Sequence, residues 1–131
     1  MLYRIIDADD LPSLIRAFME SYELVAPVAQ GQGYIFDVIE NPDDVVLDYP
    51  TTMASPKKYF LPPEETLFKF DVAENDVSEY ELDVKPRVLF GVHPCDLNAI
   101  ERLDAVFLDS RYSDPYYRAR REATLIVGVG C

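Results

Sequence analysis

The chain has 131 residues, about half of them hydrophobic, with nine tyrosines and seven phenylalanines. That is enough for one α/β-sized domain with a real core, too short for two ordinary domains, and far from the composition of a disordered chain. Twenty-four Asp and Glu against twelve Lys and Arg give a formal charge of −12; the average field then opposes nucleic acid and anionic membrane surfaces, and leaves a basic protein partner, a cationic cofactor site on another subunit, or plain solubility as what the charge serves.

No apolar run approaches the ~18 residues of a membrane span, and MLYRIIDADD lacks the basic start and apolar core of a signal peptide. The expectation is a cytoplasmic chain with no membrane insertion. Its two cysteines then point to free thiols, metal ligation or redox chemistry rather than to a disulfide framework.

In chain order, Tyr3 to Ile6 reads as a short first strand or an extended arm. Asp9 or Asp10 caps a helix running to about Tyr22, with Pro12 in its first turn, where a missing N–H costs nothing. Leu11, Leu14, Ile15, Phe18, Met19 and Tyr22 recur at helical spacing and form a core-facing row. Leu24 to Val28 and Tyr34 to Ile39 read as two extended segments around a glycine turn, and Pro27 predicts an edge position for the first. The Gly31/Gly33 pair lacks the third glycine and the following helix of a nucleotide loop. Asn41 to Asp44 is a turn, followed by a short strand at Val45 to Asp48. Residues 51–65 form a proline-rich irregular loop with one basic pair, Lys57 and Lys58, and long loops of this kind are often functional. Leu67 to Phe70 alternates as a strand does; 71–85 is an acidic connection in which Tyr80, Leu82 and Val84 suggest an edge strand.

The C-terminal third is the most informative. Val88 to Val92 and Thr124 to Val129 are short, β-branched apolar runs suited to parallel strands covered on both faces. The segment between them is helical in character and of a length that suits a crossover. The prediction is an α/β fold: a mixed sheet with a C-terminal parallel βααβ unit, an N-terminal amphipathic helix and a proline-rich loop, all in one domain spanning 1–131. Cys95 and Cys131 each follow one of the two runs, so parallel neighbours would deliver both thiols to the carboxyl edge of the sheet, where open α/β sheets bind ligands.

His93-Pro94-Cys95-Asp96 joins the first run to a helix over 96–108, with Leu97, Ile100, Leu103 and Phe107 on one face. Cys95 or Asp96 falls at its N-cap, where the positive end of the helix dipole favours thiolate. Cys95 then reads either as a ligand or reactive thiolate or as a small packing residue, and His93 as a ligand, a partner of the thiol or a hydrogen-bonded turn residue. With two cysteines and one histidine, the chain cannot alone supply four ligands to a zinc ion or a cubane cluster. Asp114-Pro115 starts a second helix, whose Arg118, Arg120 and Arg121 could grip an anionic cofactor or an acidic partner, or complement the helix dipole and pair with carboxylates. Tyr112, Tyr116 and Tyr117 read as packing residues. Acidic pairs such as Asp43-Asp44 sit in turns, and no Ser/His/Asp arrangement can be built on a single histidine.

GVHPCDLNAIERLD, DSRYSDPYYRARRE, LIVGVGC and SPKKYFLPPEETLFKF resemble the N-terminal region of iron–sulfur electron-transfer subunits: the β subunit of cytoplasmic nickel–iron sulfhydrogenases and the A subunit of anaerobic sulfite reductase. The strand–PCD–helix combined with RY-DPYY-RRE carries the likeness, which covers most of the chain. The resemblance implies a domain of a longer subunit that relays electrons between a flavin-containing, NAD(P)-oxidising subunit and a catalytic reductase or hydrogenase subunit. It implies iron–sulfur clusters held largely by a cysteine-rich, ferredoxin-like region that this sequence does not contain. On that basis Cys95 and Cys131 are candidate cluster ligands, with His93, Asp96, Arg118 and Arg121 around the cofactor, in a domain not catalytic by itself. Two other readings stay open: a non-redox assembly domain with inert cysteines, and a flavin- or small-molecule-binding α/β domain.

Overall fold

In the computed structural model, which describes residues 5–79, 81–109 and 111–130, a mixed four-stranded sheet runs β2-β1-β5-β6. Its strands are β1 (Glu23–Gln30), β2 (Gly33–Val38), β5 (Arg87–Val92) and β6 (Thr124–Gly128). A separate hairpin pairs β3 (Phe68–Asp71) with β4 (Asp76–Glu79). Three helices, α1 (Leu11–Met19), α2 (Pro94–Phe107) and α3 (Pro115–Glu122), complete the fold. β5 and β6 are parallel neighbours joined through α2 and α3, as the two apolar runs predicted.

The period-2 alternation of the strands separates two cores. Leu24, Ala26, Val88 and Phe90 share one with Ile15 of α1; Val25, Leu89 and Val92 share the other with Ile100 of α2 and Tyr117 of α3. Neighbours in sequence thus serve opposite faces as far as Phe90; the register shift between Phe90 and Val92 then places Val92 in the other core, and β5 is buried along both faces. β6 is an edge strand and carries Leu125 at the surface, so of the two apolar runs the expected burial on both faces holds for β5 alone.

Pro27 does not mark an edge. β1 lies inside the sheet, with β2 on one side and β5 on the other. Its parallel ladder with β5 stops at the Val25↔Leu89 pair. Beyond it, the Val46 N–H donates to the Pro27 carbonyl over 2.8 Å. A strand residue directs its N–H and C=O to the same side, so the missing donor of Pro27 falls where β5 no longer needs one. The same contact shows what Val45 to Asp48, expected as a short strand, does: it meets β1 through the Val46 amide and, among the described residues, forms no ladder.

Other boundaries shift for local reasons. α1 ends at Met19, and Tyr22 already belongs to the turn into β1. Asp10 holds its N-cap position, but its backbone is helical (φ −86°, ψ −7°) and its carboxylate caps nothing; a tight turn over Ala8–Asp10 leads in instead. Ile5 and Ile6 form no regular element, and Tyr3, Arg4 and Tyr80 lie outside the described residues. The acidic connection holds β4, earlier than the Tyr80–Val84 alternation suggested. Asp71 Oδ1 accepts from the Ala73 and Glu74 amides, and Asn75 takes φ 51°, which closes this second hairpin.

Candidate functional site

The carboxyl edge of the parallel strands is where the sequence placed its chemistry, and the proline-rich loop lies across it. β5 reaches that edge through a break: the β5–β6 register slips between Phe90 and Val92, and Gly91 between them has φ +81°. This is a bulge at a position that favours glycine. The bulge presents the Gly91 carbonyl to the buried Tyr49 hydroxyl, which donates to it over 2.8 Å. The Tyr49 ring in turn stacks on His93, with centroids 4.1 Å apart and planes within 3°. Six residues further along the loop, the Ser55 hydroxyl donates to Asp96 Oδ1 over 2.7 Å.

These contacts reassign the HPCD motif. α2 starts at Pro94, so the N-cap is His93, with Cys95 and Asp96 in the first helical turn. Pro94 takes the first helical position, where its lack of an N–H is harmless. The Asp96 and Leu97 amides both donate to the His93 carbonyl. His93 is therefore occupied as a stacking partner and Asp96 as an acceptor for Ser55. Neither bonds to Cys95, whose thiol is exposed and free. Exposure removes the reading of Cys95 as a buried packing residue. Cys131 lies outside the described residues; the chain ahead of it continues past β6 with the Val129 N–H donating to the Val92 carbonyl.

The arginines lie elsewhere. α3 runs into the start of β6, so its C-terminal end faces the amino edge of the sheet, opposite Cys95. Arg121 Nε donates to both oxygens of Asp104, at 3.1 and 3.0 Å. Arg120 binds the Phe60 carbonyl and Glu65. Arg118 pairs with Glu122 one turn on, at 3.7 Å. All three cations have carboxylate partners, as the dipole-and-ion-pair reading of α3 anticipated. At the same amino edge a cleft of about 350 Å³ is lined by Lys58, Lys85, Arg87 and Arg120, with Glu23 and Asp83 opposing them. Arg87 is held by Glu23 at 2.6 Å and lies over the Tyr59 ring.

Tyr59 and Tyr117 titrate far from the usual tyrosine range. Burial first, then the Asp37 charge, push Tyr59 up to about 12 against the opposing Arg87. Tyr117 is driven up by burial and by its hydrogen bond to the Asp104 carboxylate, at 2.7 Å. Of the three tyrosines expected to pack, Tyr117 is fully buried, whereas Tyr112 is exposed.

Among the described residues, no three His, Cys, Asp or Glu side chains gather as metal donors. With one described cysteine, the donor set does not fit an iron–sulfur cluster held by this chain alone. Nor, among the described residues, is any helix long and apolar enough to cross a membrane. What the sequence did not reveal is that Tyr49 and Ser55 complete this edge. They lie 42 and 41 residues from the groups they bind, and only the density of prolines hinted that the loop had a task.

No protein-family model matches the chain, and no solved structure matches it. Among curated proteins it is 37% identical, over all 131 residues, to sulfhydrogenase 2 subunit beta of Pyrococcus furiosus, and spans 38% of that protein's length. From end to end, the chain is thus similar to part of a sulfhydrogenase β subunit.

Proposed function

We propose that this chain is a docking domain of an iron–sulfur electron-transfer subunit in a cytoplasmic, anaerobic hydrogenase-type complex. The observation that carries the reading is the 37% identity with a sulfhydrogenase β subunit over the whole chain. The geometry favours docking over chemistry of the domain's own: the loop closes the sheet edge, and the α3 arginines are spent on internal pairs. On this reading the partners are a flavin-containing, NAD(P)-oxidising subunit and a catalytic hydrogenase subunit. The clusters belong to residues beyond this chain, and Cys95, exposed at the start of α2, is the described residue that would add a thiolate to one of them.

Anaerobic purification of the tagged protein from its own cells tests this. Hydrogen-dependent dye reduction should co-elute with the tag, together with subunits in fixed ratio. Elution as a lone protein, or in a complex without hydrogen-dependent activity, would remove the assignment; sulfite-dependent activity instead would move it to the anaerobic sulfite reductase branch of the same resemblance.

A further inference from the structure

The β3–β4 hairpin stands apart from the main sheet, and every residue of its two strands is exposed. Its register pairs Phe68 with Glu79 and Phe70 with Val77. Alternate strand residues share a face, so Phe68, Phe70 and Val77 form an apolar surface with Glu79 beside Phe68 on the same side, while Lys69, Asp71, Asp76 and Ser78 occupy the other. The apolar side is the wet one: Phe68 is 61%, Phe70 56% and Val77 60% exposed. A two-stranded hairpin is marginal in water unless a further strand or a packed surface covers its apolar face. Here Phe68 and Val77 instead form one wall of an open groove of about 880 Å³, whose other wall is Pro115, Tyr116 and Ala119 at the start of α3.

Charge surrounds this surface. Residues 64–83 hold eight carboxylates and one lysine, Lys69, which is more than half of the chain's formal charge of −12. We infer that the Phe68–Phe70–Val77 face is a docking surface for a partner protein that presents an apolar centre ringed by lysine and arginine. An apolar centre within a charged rim is the usual anatomy of an interface between separately folded proteins. Opposite charge on the partner would speed encounter and fix register. A second copy of this chain would bring its own acidic rim against this one and be repelled. A small apolar ligand would leave much of its surface in water here, whereas pockets that hold such ligands enclose most of it. This deepens the docking role proposed above, on which it rests, by assigning that role to one surface.

The test compares wild type, Phe70→Glu and Lys69→Glu, the last on the opposite face of the same strand. Hydrogen exchange over residues 67–79 should slow by at least about tenfold when the free protein joins the complex isolated with it. Phe70→Glu should weaken reassociation with the separated partner subunits by at least about tenfold, with an unchanged circular dichroism spectrum and melt. Lys69→Glu should leave association within about twofold, and added salt should weaken the wild-type complex. Assembly with no protection over 67–79 would overturn the surface and leave the docking role standing. Protection already present in the free protein, from its own polypeptide, a dimer or a small molecule removed by dialysis, would also overturn it. A protein that joins no complex would overturn both.

Discussion

Gly91→Ala is expected to lower stability by about 3 kcal/mol, and the melting temperature by roughly 10 °C. Two costs add. The backbone at φ +81° is one that L residues with a side chain rarely adopt. A Cβ there would also stand 2.9 Å from Leu47 Cδ2 and 3.1 Å from Pro27 Cδ. The Leu47 side chain can swing away, but the Pro27 ring is fixed in an interior strand, so relief must come from β5 itself. Moving β5 shifts the Gly91 carbonyl away from Tyr49 and loosens the stacking on His93 that orders the start of α2. Urea unfolding with an unchanged m-value would measure the loss. A change below about 1 kcal/mol would mean that the bulge is not what fixes the loop over the sheet edge.

Tyr117→Ala should cost about 4 kcal/mol, the loss typical of a fully buried aromatic side chain. Tyr117 has no exposed surface, packs against Phe60 and stacks on Phe107 with centroids 5.0 Å apart. It thereby joins α3, α2 and the loop in one core. Tyr117→Phe keeps the ring and removes only the hydroxyl's bond to Asp104, so about 1 to 2 kcal/mol is expected. The same hydroxyl gives the fold an alkaline limit. Its folded-state pKa is raised well above the ordinary tyrosine value near 10, and that of Tyr59 is pushed up to about 12. A raised pKa means the native state holds its protons more tightly than the unfolded chain does. The stabilisation is full below about pH 10 and is lost as pH rises through the folded values. Denaturation curves from pH 8 to pH 12 should show stability falling in that upper window, and the Tyr59→Phe, Tyr117→Phe double variant should fall less steeply. Equal slopes would show that neither hydroxyl is linked to folding.

Much of the fold was legible because its strongest signals are local. The period of Leu97, Ile100, Leu103 and Phe107 gave α2, Asp114-Pro115 gave the start of α3, and the two β-branched runs gave the parallel pair β5–β6. The errors arose where tertiary contacts decide. Pro27 reads as an edge residue only if every neighbour of β1 makes a full ladder. It sits inside the sheet because the β1–β5 ladder ends two residues earlier and Val46 takes over. The α2 N-cap was placed too late because Pro94 was taken to precede the helix rather than begin it. At the site, position was readable and partnership was not. Cys95 and His93 were rightly set at the carboxyl edge, but the stacking of Tyr49 and the bond from Ser55 join segments some forty residues apart, and no periodicity encodes such pairings. The arginines of α3 were visible as a cluster, while their carboxylate partners, Asp104 and Glu65, emerge only from the packing of α3 on α2 and the loop.

On the function proposed above, this domain docks partners and does not house a cluster of its own. Anaerobic reconstitution of the 131-residue chain with iron and sulfide, followed by metal and sulfide analysis and an absorption spectrum, tests it most directly. Two cysteines, one of them exposed at the start of α2, fall short of the four that usually hold a cubane cluster. Wild type and Cys95→Ser should therefore both remain folded with iron and sulfide well below one cluster per chain. Stoichiometric iron and sulfide in the wild type, lost in Cys95→Ser, would contradict the account and make the carboxyl edge a redox centre.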